Sequence, residues 1–169
     1  MSGHKLTQAW EHLAPGESWR GWWEIGQWEL PALPVLAARG KYDGPTVVVT
    51  GAVHGDEYEG PAAIYQLFAE LDVAGLHGRL IGLPLVHRAA WQARSRVSPL
   101  DGHDLNRLFP GPSGQPSGPS EALAQAVFTP FVQRCDVLID LHSGGAKLVH
   151  LPLVGWYGGD AQAEALARS

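Results

Sequence analysis

The sequence is poor in charge, and in basic residues above all. Only 17% of its 169 residues are charged, against about a quarter in an average soluble protein. Lysine and arginine together number 12, they are scattered, and the formal net charge is −5. A nucleic-acid-binding surface requires a basic stripe, so this function is excluded. The hydrophobic content of 45% excludes an intrinsically disordered chain, which buries too little apolar surface to fold.

Cysteine and long apolar runs are also scarce. The single Cys135 cannot form a disulfide within the chain, which favours a reducing, cytoplasmic setting. No apolar run approaches the roughly 20 residues of a membrane span. The N-terminal stretch Met1–Trp19 lacks the apolar core of a signal peptide. We therefore expect neither a membrane partner nor a nucleic-acid partner.

Glycine, proline and tryptophan, by contrast, are well represented. The 21 glycines and 13 prolines predict many turns, above all in Ser98–Gly102 and Gly111–Ser120. A chain of this length fits one domain. Five of the seven tryptophans precede residue 30, which predicts an aromatic layer on a β-strand, with a pocket lining as the alternative. They are Trp10, Trp19, Trp22, Trp23 and Trp28.

The hydrophobic pattern predicts strands that alternate with helices. The predicted strands are Ser18–Leu30, Leu33–Ala38, Thr46–Val53, Arg79–Val86, Asp136–Leu141 and Leu148–Val154. The predicted helices are Pro61–Asp72, Glu121–Arg134 and Asp160–Ser169, with Ser120 capping the second helix and Pro130 bending or breaking it. The order indicates an α/β fold with a mixed, mostly parallel sheet sandwiched by helices. Ligands of such sheets bind at the carboxyl ends of the strands.

Two of these predicted strands are each followed directly by a histidine that begins a loop. The first loop reads HGDEYEG and contains His54 and Glu57; the second reads DLHSGG and contains His142, with 84 residues between Glu57 and His142. Two histidines and one glutamate are the ligand set of a catalytic zinc site. Asp140 lies on the same strand face as His142 and could orient its imidazole. The alternatives are a polar loop for the first pair, a capped strand end for His142 and a turn role for Asp140.

A third segment, RVSPLDGHDLNRLFPG, carries cations and an amide in a turn-rich stretch. Arg107 could clamp a substrate carboxylate through two parallel hydrogen bonds, and Asn106 could add a donor. Arg96 could direct its charge at a developing oxyanion. From chemistry alone, a turn that pins the loop and arginines that are merely solvated remain the favoured interpretation.

The three motifs HGDEYEG, RVSPLDGHDLNRLFPG and DLHSGG, in this order, resemble the succinylglutamate desuccinylase/aspartoacylase family of the zinc carboxypeptidase-like superfamily. Within that family, HGDEYEG is most similar to deacylases of the N-acetyl-diaminobutyrate deacetylase type. The resemblance covers about Thr46–Gly145. It implies one zinc ion per chain, held by His54, Glu57 and His142.

The resemblance also implies roles for the third motif. It assigns Arg96 to polarising the scissile carbonyl, and Asn106 with Arg107 to binding the substrate carboxylate. It implies a mixed sheet sandwiched by helices, followed by a smaller β-rich C-terminal part.

One element of the family pattern is missing from the chain. The general base of the family is a glutamate in a motif of the C-terminal half, whereas after His142 the chain has only Glu164, interpreted as a solvated residue of a helix. Asp56 and Glu59 could substitute, although a turn role and a helix-dipole role are the favoured interpretations. We expect residues 1–169 to form an incomplete N-terminal zinc-binding catalytic domain without the β-rich part.

The sequence therefore predicts a zinc-dependent hydrolase that cleaves the amide bond of a small N-acyl amino acid. The alternatives are a zinc carboxypeptidase of the same superfamily and a metal-binding fragment that is catalytically incomplete. An incomplete domain would expose apolar sheet edges, so the sequence is also compatible with a homo-oligomer.

Overall fold

Five strands form a single sheet in the computed structural model, which describes residues 9–169. The strands are β1 (Ser18–Trp23), β2 (Leu33–Arg39), β3 (Tyr42–Gly51), β4 (His77–Leu83) and β5 (Val137–Leu141). The α-helices are α1 (Glu59–Glu70), α2 (Arg88–Ala93), α3 (Pro119–Phe128) and α4 (Ala161–Arg168). Short 3-10 turns span Ala9–His12, Leu105–Arg107 and Val132–Arg134.

The sheet has the order β1-β2-β4-β3-β5 and is mixed, as predicted. The pairs β1/β2 and β2/β4 are antiparallel, whereas β3/β4 and β3/β5 are parallel. Only β2 therefore runs against the other four strands of the described sheet. The carboxyl ends of β3, β4 and β5 lie at one edge, where a ligand is expected.

Helices cover both faces of the sheet, which confirms the predicted sandwich. Successive residues of β3 point to opposite faces, so Val48 belongs to one buried cluster and Val49 to the other. The larger cluster includes residues of α3, such as Leu123, and the smaller one includes Ile64 of α1. No helix among residues 9–169 has both the length and the apolar character that a membrane crossing requires.

The predicted aromatic layer is present at the β1 side of the sheet. Trp10 packs against Trp19 and Trp23 of β1 at ring-centroid distances of 5.8 and 6.1 Å, and stacks on Phe131 at 5.2 Å. Trp22, by contrast, is 54% exposed and lies under the guanidinium of Arg88. The early tryptophans thus serve mainly to close the core beside α3.

The structure corrects several predicted boundaries. The strand predicted over Ser18–Leu30 ends at Trp23, and α1 begins at Glu59 rather than Pro61. The helix predicted over Glu121–Arg134 ends at Phe128, because Pro130 cannot continue it, and a separate 3-10 turn follows.

The predicted cap of α3 is also wrong. Gly118 is the cap residue, and Pro119 occupies the first turn, where its missing N–H costs nothing. Ser120 instead donates its hydroxyl and backbone N–H to the carboxylate of Asp101, at 2.7 and 3.0 Å. The serine therefore ties α3 to the loop before Asp104.

Two predictions about the C-terminal third are wrong. Leu148–Val154 forms no strand, and its apolar side chains are exposed, with Val149 at 99%. The apolar run of β5 is typical of a buried strand, yet Leu138 and Ile139 are 44% and 36% exposed. Within residues 9–169, β5 pairs only with β3, so apolar composition alone gave the wrong burial.

Candidate metal centre

His54 and Glu57 lie on a tight turn just beyond the end of β3. Ala52 adopts a left-handed backbone (φ 52°), and its carbonyl accepts a hydrogen bond from the N–H of His87 at 2.9 Å. Glu57 then donates its N–H to the carbonyl of His54 at 3.4 Å. Both side chains are 2% exposed, so the turn places an imidazole and a carboxylate together inside the protein.

His142 reaches the same place from the end of β5. Its Nδ1 lies 3.0 Å from Glu57 Oε2, while His54 Nδ1 lies 2.8 Å from Glu57 Oε1. One ligand atom from each of the three residues lies within 4.8 Å of the other two. The predicted residues His54, Glu57 and His142 are therefore brought together. We refer to them as the HEH group.

Each imidazole of the HEH group has a carboxylate at its Nε2 atom, on the side away from Glu57. His142 Nε2 lies 2.7 Å from Asp140 Oδ2, and His54 Nε2 lies 3.1 Å from Asp104 Oδ1. Thr50 of β3 in turn donates its hydroxyl to Asp140 Oδ1 at 2.6 Å. If the Nε2 atoms carry protons toward these carboxylates, both Nδ1 atoms offer lone pairs on the Glu57 side. This carboxylate–histidine pairing orients metal-ligating histidines in proteins.

The local charges support this arrangement. The hydrogen bond that the Asp140 carboxylate accepts raises the pKa of His142 above its ordinary value, although partial burial opposes the shift. Burial alone would raise the pKa of Asp104, but the Asn106 N–H and the neighbouring His54 hold it below its usual range. Asp104 therefore stays ionised as the partner of His54.

The donor atoms of the HEH group fit a divalent metal ion. Two imidazole nitrogens and one carboxylate leave a coordination position open for water or substrate. The Glu57 carboxylate also accepts from the Arg96 guanidinium at 3.3 Å and from the Ser143 N–H at 2.9 Å, which hold it in place between the two imidazoles.

Asp104 is a site residue that the sequence reasoning missed. It accepts from the Asn106 N–H at 3.0 Å and thereby caps the 3-10 turn Leu105–Arg107, in addition to holding His54. The spacing Asp-x-Asn is a recognisable cap pattern. That pattern predicts the turn, but it does not reveal that the capping oxygen, Asp104 Oδ1, also meets a histidine fifty residues earlier.

Arg96 lies beside the HEH group, as its predicted role requires. Its Nη1 is 3.3 Å from Glu57 Oε1, and its Nη2 is 3.9 Å from Asp104 Oδ2. The side chain is still 52% exposed. The guanidinium is thus held at the group by two carboxylates while part of it remains open to a ligand.

Asn106 and Arg107 lie on the capped turn next to Asp104. Leu105 is fully buried and anchors the turn, Asn106 is half-buried and Arg107 is exposed. Within the part of the chain that the structure describes, the Nη1 of Arg107 donates only to the Asn106 carbonyl, at 3.2 Å. The structure tethers these two residues to His54 through Asp104 but gives their side chains no direct contact with the HEH group.

The remaining carboxylates near the site differ in their surroundings. A hydrogen bond from the Ser143 hydroxyl holds the pKa of Glu59 below its ordinary value. Asp56 packs on Gly145, and its Oδ1 is buried without a hydrogen-bond partner among residues 9–169. Glu164 lies on α4 and pairs with Arg168 at 2.9 Å. None of these three side chains has a hydrogen bond or ion pair with the HEH group.

Comparison with known proteins agrees with the motif pattern. Residues 43–168 match the model of the succinylglutamate desuccinylase/aspartoacylase catalytic domain. The chain is 40% identical over 126 residues to the N-alpha-acetyl-L-2,4-diaminobutyric acid deacetylase of Halomonas elongata, a match that covers 74% of this chain and 36% of that protein.

Solved structures extend the comparison to the fold. A succinylglutamate desuccinylase/aspartoacylase from Rhodobacter sphaeroides is 35% identical with a TM-score of 0.66, over 76% of this chain and 40% of that one. Bovine thrombin-activatable fibrinolysis inhibitor, at 18% identity and a TM-score of 0.55 over 73% and 53%, shares the fold alone. The chain thus spans well under two thirds of the length of these relatives. It belongs to the succinylglutamate desuccinylase/aspartoacylase family.

Proposed function

We propose that the chain is the metal-binding part of a zinc-dependent deacylase that hydrolyses the amide bond of a small N-acyl amino acid. The observation that carries this proposal is the HEH group, in which two imidazoles turn toward Glu57 and each keeps a carboxylate on its other nitrogen. The name of the Halomonas relative supports amide hydrolysis of an acetylated amino acid as the reaction class.

In this proposal His54, Glu57 and His142 hold one zinc ion. When bound, the ion would lower the pKa of a coordinated water towards about 7 and would polarise the amide carbonyl. Asp104 and Asp140 keep the two imidazoles in the ligand orientation. Because their charge lies on the far side of each ring, they also make the inward nitrogens more basic.

The second motif supplies groups for the substrate. Arg96 would stabilise the negative charge that develops on the scissile carbonyl oxygen, since its guanidinium lies at the group and remains half exposed. Arg107 and Asn106 would bind the substrate carboxylate, and this contact would fix the position of the reacting amide. We assign the catalytic role to Arg96 and substrate binding to the other two.

A carboxylate base must take the proton of the attacking water and return it to the leaving amine. Glu59 is engaged with Ser143, and Glu164 lies on α4 beside Arg168. We assign the base to neither of them. We therefore expect little turnover from this chain alone. We also propose a reducing, cytoplasmic setting for the protein. The proposal is compatible with a homo-oligomer.

Substitution of a single ligand tests the metal assignment. In His142→Ala we expect the loss of stoichiometric zinc, because only His54 and Glu57 would remain as protein ligands. Zinc content is measured by mass spectrometry after dialysis. His150→Ala removes an exposed histidine eight positions later and should retain one zinc per chain. Full zinc content in His142→Ala would refute the proposed site.

The zinc carboxypeptidase alternative shares the ligand set, and the fold likeness to the bovine protein is compatible with it. A panel of N-acetyl amino acids and peptides with free C-termini distinguishes the two activities. Hydrolysis of peptides alone would favour the carboxypeptidase. A chain that binds zinc but hydrolyses neither class would support the metal-binding fragment.

A further inference from the structure

The carboxylate of Asp101 joins the loop before Asp104 to the start of α3, and it has no role in the chemistry described above. Asp101 Oδ1 accepts from the Ser120 hydroxyl at 2.7 Å, and Oδ2 accepts from the Ser120 N–H at 3.0 Å. Ser120 is 1% exposed. Burial alone would raise the pKa of Asp101, but the hydrogen bonds from Ser120 hold it well below its usual range. Asp101 is therefore an ionised partner for the first turn of α3, where a carboxylate is favoured.

The loop from Ser98 to His103 is closed on itself by hydrogen bonds. The Ser98 N–H donates to the His103 carbonyl, and the Gly102 N–H donates to the Ser98 carbonyl, both at 2.9 Å. The His103 N–H in turn donates to Asp101 Oδ1 at 3.3 Å. Because these bonds join the two ends of the loop, the contact of Asp101 with α3 also fixes His103, the residue that precedes Asp104.

Asp104 thus lies between two anchors. Before it, the hydrogen bonds between Asp101 and Ser120 hold the loop on α3. After it, Leu105 is fully buried in the larger core cluster, which also includes residues of α3. Between the anchors, Asp104 Oδ1 meets His54 Nε2 at 3.1 Å. Hydrogen bonds weaken steeply when their geometry is lost, so the loss of one anchor should weaken this contact without abolishing it.

We propose that Asp101 is a positioning residue of the metal site, which fixes the loop on α3 and thereby holds the Asp104 carboxylate against His54. Asp101 acts through Asp104 and not on the ion itself. The same anchor fixes the turn Leu105–Arg107 that carries the residues proposed to bind the substrate carboxylate. The inference rests on the proposed zinc site, and it extends the support of that site to the first turn of α3.

Zinc affinity, measured by competition with a chelator of known affinity, tests this role. The loss of a carboxylate that directly holds a ligand histidine weakens metal binding about 10- to 100-fold. Asp101 acts one step further from the ion, so Asp101→Ala should weaken zinc binding by less, about three- to tenfold. Ser120→Ala removes one hydrogen bond of the same anchor and should have a smaller effect. Because both substitutions act on one anchor, the double variant should bind zinc as Asp101→Ala does.

Gln125→Ala is the matched control. The Gln125 side-chain amide donates to the carbonyls of Pro112 and Gly114 at 2.8 and 3.0 Å. It therefore also joins α3 to a loop through two hydrogen bonds, but that loop does not carry Asp104. We expect Gln125→Ala to lower the free energy of unfolding, as Asp101→Ala does, and to bind zinc as the unchanged chain does.

Hydrogen exchange at the Asn106 N–H provides a second readout, which requires no metal. This N–H donates to Asp104 Oδ1 at 3.0 Å, so its exchange rate reports whether the Asp104 carboxylate is in place. In the metal-free chain, exchange at Asn106 should become about fivefold faster in Asp101→Ala, the factor that corresponds to a hydrogen bond of typical strength. It should be unchanged in Gln125→Ala.

A loss of zinc affinity in Asp101→Ala no greater than that in Gln125→Ala would overturn the inference and leave the deacylase proposal intact. Weaker zinc binding with unchanged exchange at Asn106 would also overturn it, because the effect would then not pass through Asp104. A chain that binds no zinc through His142 would instead refute the deacylase proposal. In that case faster exchange at Asn106 in Asp101→Ala would still support the positioning of Asp104, and unchanged exchange would overturn it.

Discussion

At the scale of single residues, the HEH group depends on side chains that would not themselves touch a metal. Asp140 holds the outer nitrogen of His142, and Thr50 holds Asp140. The three groups form a chain of hydrogen bonds that starts in β3 and ends at the inward nitrogen of His142. A substitution of Asp140, in the middle of this series of hydrogen bonds, should therefore change the affinity for the metal.

Asp140→Asn should weaken zinc binding about 10- to 100-fold, the usual cost of losing an outer-shell carboxylate. The amide keeps the size of the side chain but removes the charge that makes the imidazole a stronger ligand. Competition with a chelator of known affinity measures the effect. Glu164→Gln, an equal change on the exposed α4, is the control and should bind zinc as the unchanged chain does. Equal zinc affinities of the two variants would show that Asp140 serves only the structure at the end of β5 and not zinc binding.

Some of these residues could be predicted from the sequence and others could not. His54, Glu57 and His142 each follow a β-rich run, so the rule that parallel strand ends meet predicts that they lie together. Their role as metal ligands stays a prediction. Asp104 could not be found in the same way, because it follows a helix and not a strand, and local spacing reports only the turn that it caps.

At the scale of elements, α2 packs against the metal-binding turn, where the backbone of Ala90 lies against Gly55. Its cap residue is His87, whose Nδ1 accepts from the Ala90 N–H at 3.4 Å and whose side chain is 1% exposed. Because Nδ1 accepts, the proton of the neutral ring is on Nε2, which has no partner among residues 9–169. Burial lowers the pKa of His87 from 6.5 to about 4. The start of α2 thus requires a neutral histidine.

This requirement predicts a loss of stability in acid. The unfolded chain binds a proton on His87 below about pH 6.5, whereas the folded chain does so only near pH 4. The neutral His87 therefore contributes its full share to the free energy of unfolding above pH 6.5, and this share is lost as the pH falls toward 4. At about 1.4 kcal/mol per pKa unit, the loss in the free energy of unfolding amounts to roughly 3 kcal/mol.

Urea unfolding at pH 7 and pH 4.5 measures the effect. His87→Asn keeps a good cap residue but cannot titrate, so its free energy of unfolding should fall less between the two pH values. His150→Asn, at an exposed position, should behave as the unchanged chain. An undiminished pH dependence in His87→Asn would assign the acid sensitivity to other groups.

The elements that were predicted poorly share a physical cause. The strand at β3 is flanked by partners on both sides and was predicted well, because its apolar run matches its burial. β5 and residues 148–154 are equally apolar but have few neighbours within residues 9–169. An apolar run shows that a segment tends to be buried, and the burial itself depends on what packs against it.

At the scale of the whole molecule, the HEH group joins two distant parts of the chain. His142 lies 85 residues after Glu57, and the two are connected through the β3/β5 ladder. An ion held both by the His54–Glu57 turn and by His142 would bind the folded chain and not the unfolded one. It should therefore stabilise the entire fold and not only the loops that contact it.

Zinc at about 100 times its dissociation constant should raise the free energy of unfolding by about 2.7 kcal/mol. Denaturant unfolding with zinc and with an excess of chelator provides the comparison. The same experiment on His142→Ala should show no difference between the two conditions. An increase that persists in His142→Ala would mean that zinc binds elsewhere.

The distance along the chain between the ligands also constrains how the protein matures on the ribosome. His54 and Glu57 emerge early, but a nascent chain cannot assemble the HEH group until His142 has been synthesised and β5 has aligned with β3. Early metal capture by the first pair alone would be weak and reversible. Tight metal binding would then begin only after β5, the last strand of the described sheet, has paired with β3 in the correct register.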